Sequence, residues 1–197
     1  MNHIRIPIPL TTYNSRYIEQ RLGEIKDRKG KNAFLESIMS DPTAVLLNEE
    51  NGHKTVLFQG NKGPISSTWE QTKLMAFELN DNGFDVAFLP ELLSNVCADS
   101  LIRIGNDYRI ADFKYCITKK PNTLSKDLEH GFEQANNIVL KLVNMDLGLF
   151  KDTVNYLLRN GIHYGNIILI NKYGKTCIVS HKDIKSGGYV RKIKGFL

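Results

Sequence analysis

Residues 97–116 read CADSLIRIGNDYRIADFKYC, and the central elements of the fold can be inferred from this segment. Two short runs of β-forming residues flank the Gly-Asn pair at 105–106, a pattern typical of a β-hairpin. Each run also carries an aspartate among its apolar residues, Asp99 in the first and Asp112 in the second. A two-residue turn would place these aspartates directly opposite each other, whereas a three-residue turn would shift the register by one and leave them diagonal.

Two facing carboxylates need a positive charge between them. Opposed residues on neighbouring strands have Cβ atoms roughly 4.5–5.5 Å apart, and like charges at that spacing destabilise a sheet. Because hard oxygen ligands suit Mg²⁺ or Mn²⁺, the pair predicts a divalent metal site. Strand alternation puts Lys114 on the same face as Asp112, where a lysine can position an attacking water. An isolated Asp-x-Lys triplet is more often an ordinary salt bridge, so its surroundings matter.

The elements around the hairpin follow a recognisable order. A helix within 66–83 precedes a strand at 85–89 and the hairpin, and a second helix within 123–136 leads into a strand at 138–143. This α-β-β-β-α-β order is extended by a helix at 149–160 and two strands near 166–171 and 176–180. We expect an α/β fold with a mixed central sheet.

The remaining sequence suggests two smaller parts. A helix interrupted around Gly30 and a hairpin within 44–58 precede a Gly-Pro loop at 61–67, which we take as a boundary. The predicted organisation is an N-terminal helix and hairpin element (1–62), the main domain (63–181) and a basic tail (182–197) in which Gly187 and Gly188 interrupt regular structure. After residue 171 the chain has seven basic residues and one acidic residue.

Composition limits the function classes. The 197 residues include 42% apolar residues, and the apolar runs are far shorter than the roughly 20 residues of a membrane span, so we expect no membrane partner. The N-terminus lacks a secretory signal pattern, and three cysteines without CxxC spacing fit a reducing compartment, which together predict a cytoplasmic protein. The five histidines are scattered, and no phosphate-binding glycine loop is present.

With these elements in place, the segment resembles the PD-(D/E)xK superfamily, whose members share a restriction-endonuclease-like αβββαβ core. The run LMAFELNDNGFDVAFLPELL, continued by ADSLI, YRIADFKY and EQANNIVLKL, is similar to the C-terminal tRNA nuclease toxin domains of contact-dependent growth-inhibition proteins. The similarity covers about residues 66–180. One departure is visible, because Ala98 stands where the motif usually has proline before the first aspartate.

The resemblance implies a role for each residue that matches the motif. Asp99 and Asp112 match the two acidic metal ligands, and Lys114 matches the motif lysine. Glu70 is our choice for the acidic residue of the first helix, where it would be a third metal ligand for one or two divalent ions, with Glu78 as its competitor. Two further candidates are Gln134, matching a glutamine on the second helix, and Glu91, which follows Pro90 at a strand end.

The function implied is a divalent-metal-dependent endonuclease that cleaves phosphodiester bonds, with Mg²⁺ or Mn²⁺ favoured and Zn²⁺ as an alternative. RNA, in particular tRNA, is the expected substrate, and DNA is the alternative. The basic tail would grip the nucleic acid, with Tyr189 and Phe196 stacking on bases. As a toxin, the protein would act in the cytoplasm of a target bacterial cell and have an immunity protein as its partner. The competing interpretation is a non-catalytic nucleic-acid-binding or assembly module that keeps the fold.

Overall fold

A computed structural model describes residues 13–58, 68–90, 98–162 and 165–197. The described residues form eight strands in a single mixed sheet, and the order of the strands in the sheet follows the sequence. The strands are β1 (Val45–Glu50), β2 (His53–Leu57), β3 (Phe84–Phe88), β4 (Ser100–Ile104), β5 (Asp107–Cys116), β6 (Asn137–Leu142), β7 (Asn166–Ile170) and β8 (Thr176–Ser180). The helices are α1 (Ser15–Glu24), α2 (Arg28–Met39), α3 (Trp69–Asp81), α4 (Pro121–Gln134), α5 (Leu147–Arg159), α6 (His181–Ser186) and α7 (Tyr189–Ile193).

This arrangement confirms the α/β class, the mixed sheet and the predicted element order. Strand β2 runs parallel to β3, and β5, β6 and β7 are mutually parallel, whereas the other neighbours are antiparallel. Strand β5 pairs with β4 over residues 107–111 and with β6 over residues 112–116. Its hydrogen-bonding partner therefore changes between Ala111 and Asp112.

Side-chain alternation divides the core between the two faces of the sheet. The α3 face carries Phe88 and Phe113, which pack with the buried residues of α3. The opposite face, called here the α4 face, has two clusters. Helices α1 and α2 cover Ala87 and Leu101, while α4, α5 and the C-terminal helices cover Ile138 and its neighbours on β6 and β7. The boundary between these two clusters falls at β5.

The first helical region breaks earlier than predicted. The interruption lies between Glu24 and Arg28 rather than at Gly30, which lies inside α2. Asp27 is the reason, since its side chain accepts a hydrogen bond from the Gly30 amide at 2.7 Å and so caps a new helix. The hairpin expected within 44–58 forms as β1 and β2 and joins the sheet through β3. The 61–67 loop proposed as a domain boundary lies outside the described residues.

The expectation of a tail without regular structure after residue 181 is wrong. Ser180 and Asp183 form a reciprocal capping box that starts α6, and Gly187 ends it at a φ of 71°. Ile184, Tyr189 and Ile193 are buried in the core cluster beneath α4 and α5. Tyr189 is 4% exposed and packs against the Phe150 ring, so stacking on a base is excluded for this residue. Within the described ranges, every helix is too short or too polar to cross a membrane.

Candidate active site

Asp99 and Asp112 meet where β5 changes partner. The β4–β5 register ends with Ser100 opposite Ala111, and one further step places Asp99 opposite Asp112, as a two-residue turn predicts. Two hydrogen bonds fix Asp99. Its backbone carbonyl accepts from the Leu89 amide at 2.9 Å, and its side-chain Oδ2 accepts from the Phe113 amide at 2.9 Å. The side chain of Asp99 thus ends the β4–β5 ladder.

Lys114 completes the cluster from the same strand. Its Nζ lies 2.6 Å from Asp112 Oδ2, and the Asp112 side chain is 1% exposed whereas that of Lys114 is 21% exposed. Alternation along β5 therefore brings both charged groups to the α4 face, as predicted. The ammonium is the part of the cluster that is more open to solvent.

The pKa of Asp99 is raised to about 7, first by burial and then by the negative charge of Asp112. The Phe113 amide and the Lys114 ammonium favour the charged form and offset part of this increase. Near neutral pH the Asp99 carboxyl is therefore poised between its protonated and ionised forms. Because burial and mutual repulsion oppose the ionisation of both carboxyls, a cation bound between them would stabilise the ionised pair.

Helix α4 closes the α4 face over Asp112, and a glycine permits its close approach. A Cβ added at Gly131 would lie 2.9 Å from Asp112 Oδ2 and 2.9 Å from Ile138 Cδ1. We did not select Gly131 from the sequence. The available signal was a glycine in the middle of a helical pattern, which costs about 1 kcal/mol relative to alanine and often marks a packing constraint.

A third carboxylate near Lys114 was also missed. Asp127 lies one turn before Gly131 on α4 and is half-buried. Burial raises the pKa of Asp127, and the positive charges of Lys114 and His130 partly oppose that increase. Its helical spacing from Gly131 and Gln134, at i, i+4 and i+7, was the signal that could have identified it.

Gln134 is the last residue of α4, three positions after Gly131. Its Nε2 lies 3.2 Å from His130 Nε2, and the other ring nitrogen of His130 lies 3.2 Å from a Glu133 carboxylate oxygen. The i, i+3 spacing places Gln134 near the side of α4 that Gly131 turns toward Asp112. Its hydrogen-bond partner, however, is His130 on the exposed surface of the same helix.

Glu70 lies on α3, on the face of the sheet opposite Lys114. Its carboxylate is 69% exposed and lies 2.7 Å from the Lys73 ammonium. The start of α3 nevertheless lies near the strand ends that carry Asp99. The Trp69 and Phe88 rings pack with their centres 5.0 Å apart, and Phe88 pairs with Ser100, the residue after Asp99. The structure does not bring Glu70 into the Asp112–Lys114 ion pair.

The competitor Glu78 lies further along α3 and bonds the buried ammonium of Lys141, which is 6% exposed. That ion pair belongs to the α3 face, away from Asp112 and Lys114. Glu91 lies outside the described residues.

The donor set fits a magnesium-like ion. In the described part of the chain no group of three metal-ligating side chains occurs, so Asp99 and Asp112 are the protein ligands that the cluster offers. Mg²⁺ is commonly held by one or two carboxylates together with water and substrate phosphates. Zn²⁺ prefers nitrogen and sulfur ligands, which these two residues do not supply. The pair therefore suits Mg²⁺ or Mn²⁺.

Comparisons with known proteins add little. No family model matches the sequence, and no curated protein matches it. One similar solved structure is a CdiA-CT/CdiI toxin and immunity complex from Burkholderia pseudomallei, with 23% sequence identity and a TM-score of 0.45. The match covers 57% of this chain and 84% of that one. A similarity of this size assigns no residue role, so the site rests on its own geometry.

Proposed function

We propose that this protein is a divalent-metal-dependent endonuclease with a PD-(D/E)xK-type site on a restriction-endonuclease-like core. The observation that carries the proposal is the meeting of Asp99, Asp112 and Lys114 at the point where β5 changes from β4 to β6. Two opposed carboxylates with an adjacent ammonium are costly to bury together, and phosphodiester hydrolysis has a use for each of them.

Asp99 and Asp112 would hold the ion, which when bound lowers the pKa of water and offsets charge on the phosphate. The chain's own groups then position the reactants. Lys114 is kept at the site by its 2.6 Å contact with Asp112, and its ammonium can orient the attacking water and stabilise negative charge developing on the phosphate. Asp99 is fixed by the Phe113 amide, so the carboxylate pair needs little rearrangement before reaction.

The proposal includes two further residues, which lie outside the cluster of Asp99, Asp112 and Lys114. Glu70 follows Trp69 at the start of α3, and the Trp69 ring packs against Phe88 near the strand ends that carry Asp99. Gln134 lies at the end of α4, near the side that covers Asp112. We propose that both contact substrate or an ion-bound water.

The choice of substrate and partner comes from the sequence resemblance. It suggests RNA, tRNA in particular, and a role as a growth-inhibition toxin inside a target bacterium. Exposed cations on α6, on α7 and directly after α7 would bind phosphates in this proposal: Lys182, Lys185, Arg191 and Lys194. An immunity protein for such a toxin would be acidic, to complement this surface.

The test is cleavage of total tRNA and of plasmid DNA with Mg²⁺, Mn²⁺ or chelator, resolved on a denaturing gel. We expect the wild type to cut one substrate only when metal is present, and Asp112→Ala and Lys114→Ala to be inactive. Asp81→Asn is the matched control, because this carboxylate is exposed at the end of α3. Intact substrates with a folded wild type, or cleavage by Asp112→Ala, would refute the proposal.

A further inference from the structure

A cavity of about 500 Å³ lies where the parallel strands β5, β6 and β7 end. Its lining comes from the residues that follow each strand, including Lys119 after β5, Asn144 after β6 and Tyr173 after β7. Phe196 from the C-terminus closes another side. The crevice outside the carboxyl ends of parallel strands is a common place for a ligand in α/β folds.

Tyr173 presents an aromatic ring to solvent at this cavity. It is 74% exposed, the largest value among the exposed large apolar side chains in the part of the chain that the structure describes. The Lys172 ammonium lies 4.9 Å from the centre of the ring. An exposed ring with a cation over one face can stack on a base through its other face while the cation contacts a phosphate.

The ring is held by a fixed turn. Asn171 is 7% exposed, and its side-chain oxygen accepts from the Tyr173 amide at 3.0 Å and from the Lys175 amide at 3.1 Å. The side-chain nitrogen of Asn171 donates to the Phe196 carbonyl at 2.7 Å. One buried side chain thus fixes the turn that carries Tyr173 and ties it to the opposite wall. Little ordering remains to be done when a ligand binds.

The charges around the cavity also favour a phosphate-bearing ligand. Lys119 and Lys172 are exposed at its rim. The acidic side chain in its lining, that of Asp146, accepts from the Leu149 amide at 2.9 Å and caps α5. We propose that this cavity binds one unpaired nucleotide of a nucleic-acid strand, with the base stacked on Tyr173 and phosphate contacts from Lys119 and Lys172.

The carboxylate pair lies before the cavity along β5, because Asp112 pairs with Ile138 near the start of β6, whereas the cavity lies past the end of β6. Lys119 follows Lys114 by five residues along the same chain segment. A nucleic-acid strand that contacts both Asp112 and Tyr173 would run along β5 toward its C-terminal end. The inference rests on the proposed function for its choice of ligand, and it adds a site that selects single-stranded substrate beyond the C-terminal ends of β5 and β6.

The test measures binding separately from cleavage. The full chain carrying Asp112→Ala is titrated, in chelator, against fluorescently labelled single-stranded RNA, single-stranded DNA and duplex DNA of equal length. Tyr173→Ala and Tyr173→Phe are compared in this background. Tyr156→Ala is the matched control, because this tyrosine is 40% exposed on α5, away from the cavity.

Tyr173→Ala should weaken single-strand binding by about five- to a hundred-fold, which is the loss of one stacked base. Tyr173→Phe and Tyr156→Ala should bind like the parent, and duplex affinity should change less than single-strand affinity. Lys119→Ala and Lys172→Ala should each flatten the dependence of affinity on salt. Whether RNA or DNA loses more identifies which strand the cavity takes.

Equal single-strand affinities for Tyr173→Ala and Tyr156→Ala, with both variants folded, would overturn the inference. An equal loss with duplex DNA would also overturn it, because stacking on an unpaired base cannot explain that result. Because the protein carries Asp112→Ala and the buffer contains chelator, binding is measured without cleavage. A wild type that does not cut, with Tyr173-dependent binding intact, would refute the proposed function and leave the cavity assignment standing.

Discussion

Replacing Asp99 by asparagine should make the protein more stable above neutral pH. The asparagine oxygen can still accept from the Phe113 amide, while the charge facing Asp112 disappears. The pKa of Asp99 is raised from 3.8 to about 7, so ionising it in the folded protein costs more than in the unfolded chain. At 1.36 kcal/mol per pKa unit, the upper limit of this cost is about 4 kcal/mol.

The sign of the pH dependence follows from the raised pKa. Below pH 3.8 the Asp99 carboxyl is neutral in both the folded and the unfolded states, so wild type and Asp99→Asn should be equally stable. As pH rises toward about 7, the free energy of unfolding of the wild type falls relative to that of Asp99→Asn. Above that pH the difference between the two proteins is constant. The variant should therefore gain stability over this window, up to the full cost of ionising Asp99 at pH 8.

Urea unfolding of metal-free protein in chelator, at steps between pH 4 and pH 8, measures this difference. Asp81→Asn, which removes an exposed carboxylate outside the site, should show no such trend. A stability gain for Asp99→Asn that is the same at all pH values would contradict the electrostatic argument. So would a variant that is less stable than the wild type at pH 8.

Three further predictions concern the same architecture. Adding Mg²⁺ at pH 8 should raise the melting temperature of the wild type but not that of Asp112→Asn, and an equal rise in both would argue against a metal on the carboxylate pair. Gly131→Ala should cost about 1–3 kcal/mol in urea unfolding and slow cleavage, because its Cβ would meet Asp112 and Ile138. Gly23→Ala, with open space around the added Cβ, is the control and should cost nothing. Asn171→Ala should lower stability by about 1–3 kcal/mol, since three backbone groups lose their buried partner, and unchanged melting would mean that water replaces them.

The local chemistry of residues 97–116 could be predicted because it depends on two short-range rules. The Gly-Asn turn sets the hairpin register, and the register places Asp99 opposite Asp112. The two-residue strand period then puts Lys114 beside Asp112. Hydrophobic periodicity likewise identified the order of helices and strands from α3 to β8, because each element buries one side in the core.

Contacts between distant elements could not be predicted in the same way. Asp127 and Gly131 join the site because α4 packs against β5, and helix packing angles do not appear in a local pattern. The burial of Tyr189 has the same origin, since the two glycines before it suggested a chain without regular structure. Gly187 instead ends α6 in the left-handed region, and the chain turns back so that Tyr189 meets Phe150.

The position of Glu70 shows a second limit. It lies early in α3, as the sequence predicts, and Trp69 at the start of that helix packs against Phe88. The sequence could not show that α3 lies on the opposite face of the sheet or that Lys73 pairs with Glu70. Glu70→Gln in the cleavage assay would therefore test the role proposed for a carboxylate that lies outside the cluster of Asp99, Asp112 and Lys114.

The most direct test of the central claim is the single-turnover rate of tRNA cleavage at pH 8 with Mg²⁺, measured for the wild type and for Asp112→Asn. Asparagine keeps the size of the side chain and removes both the ligand charge and the ion pair with Lys114. We predict a loss of at least about 100-fold, the scale expected when a group that acts in the transition state is removed. A variant that stays folded and cleaves within a few-fold of the wild-type rate would contradict the account.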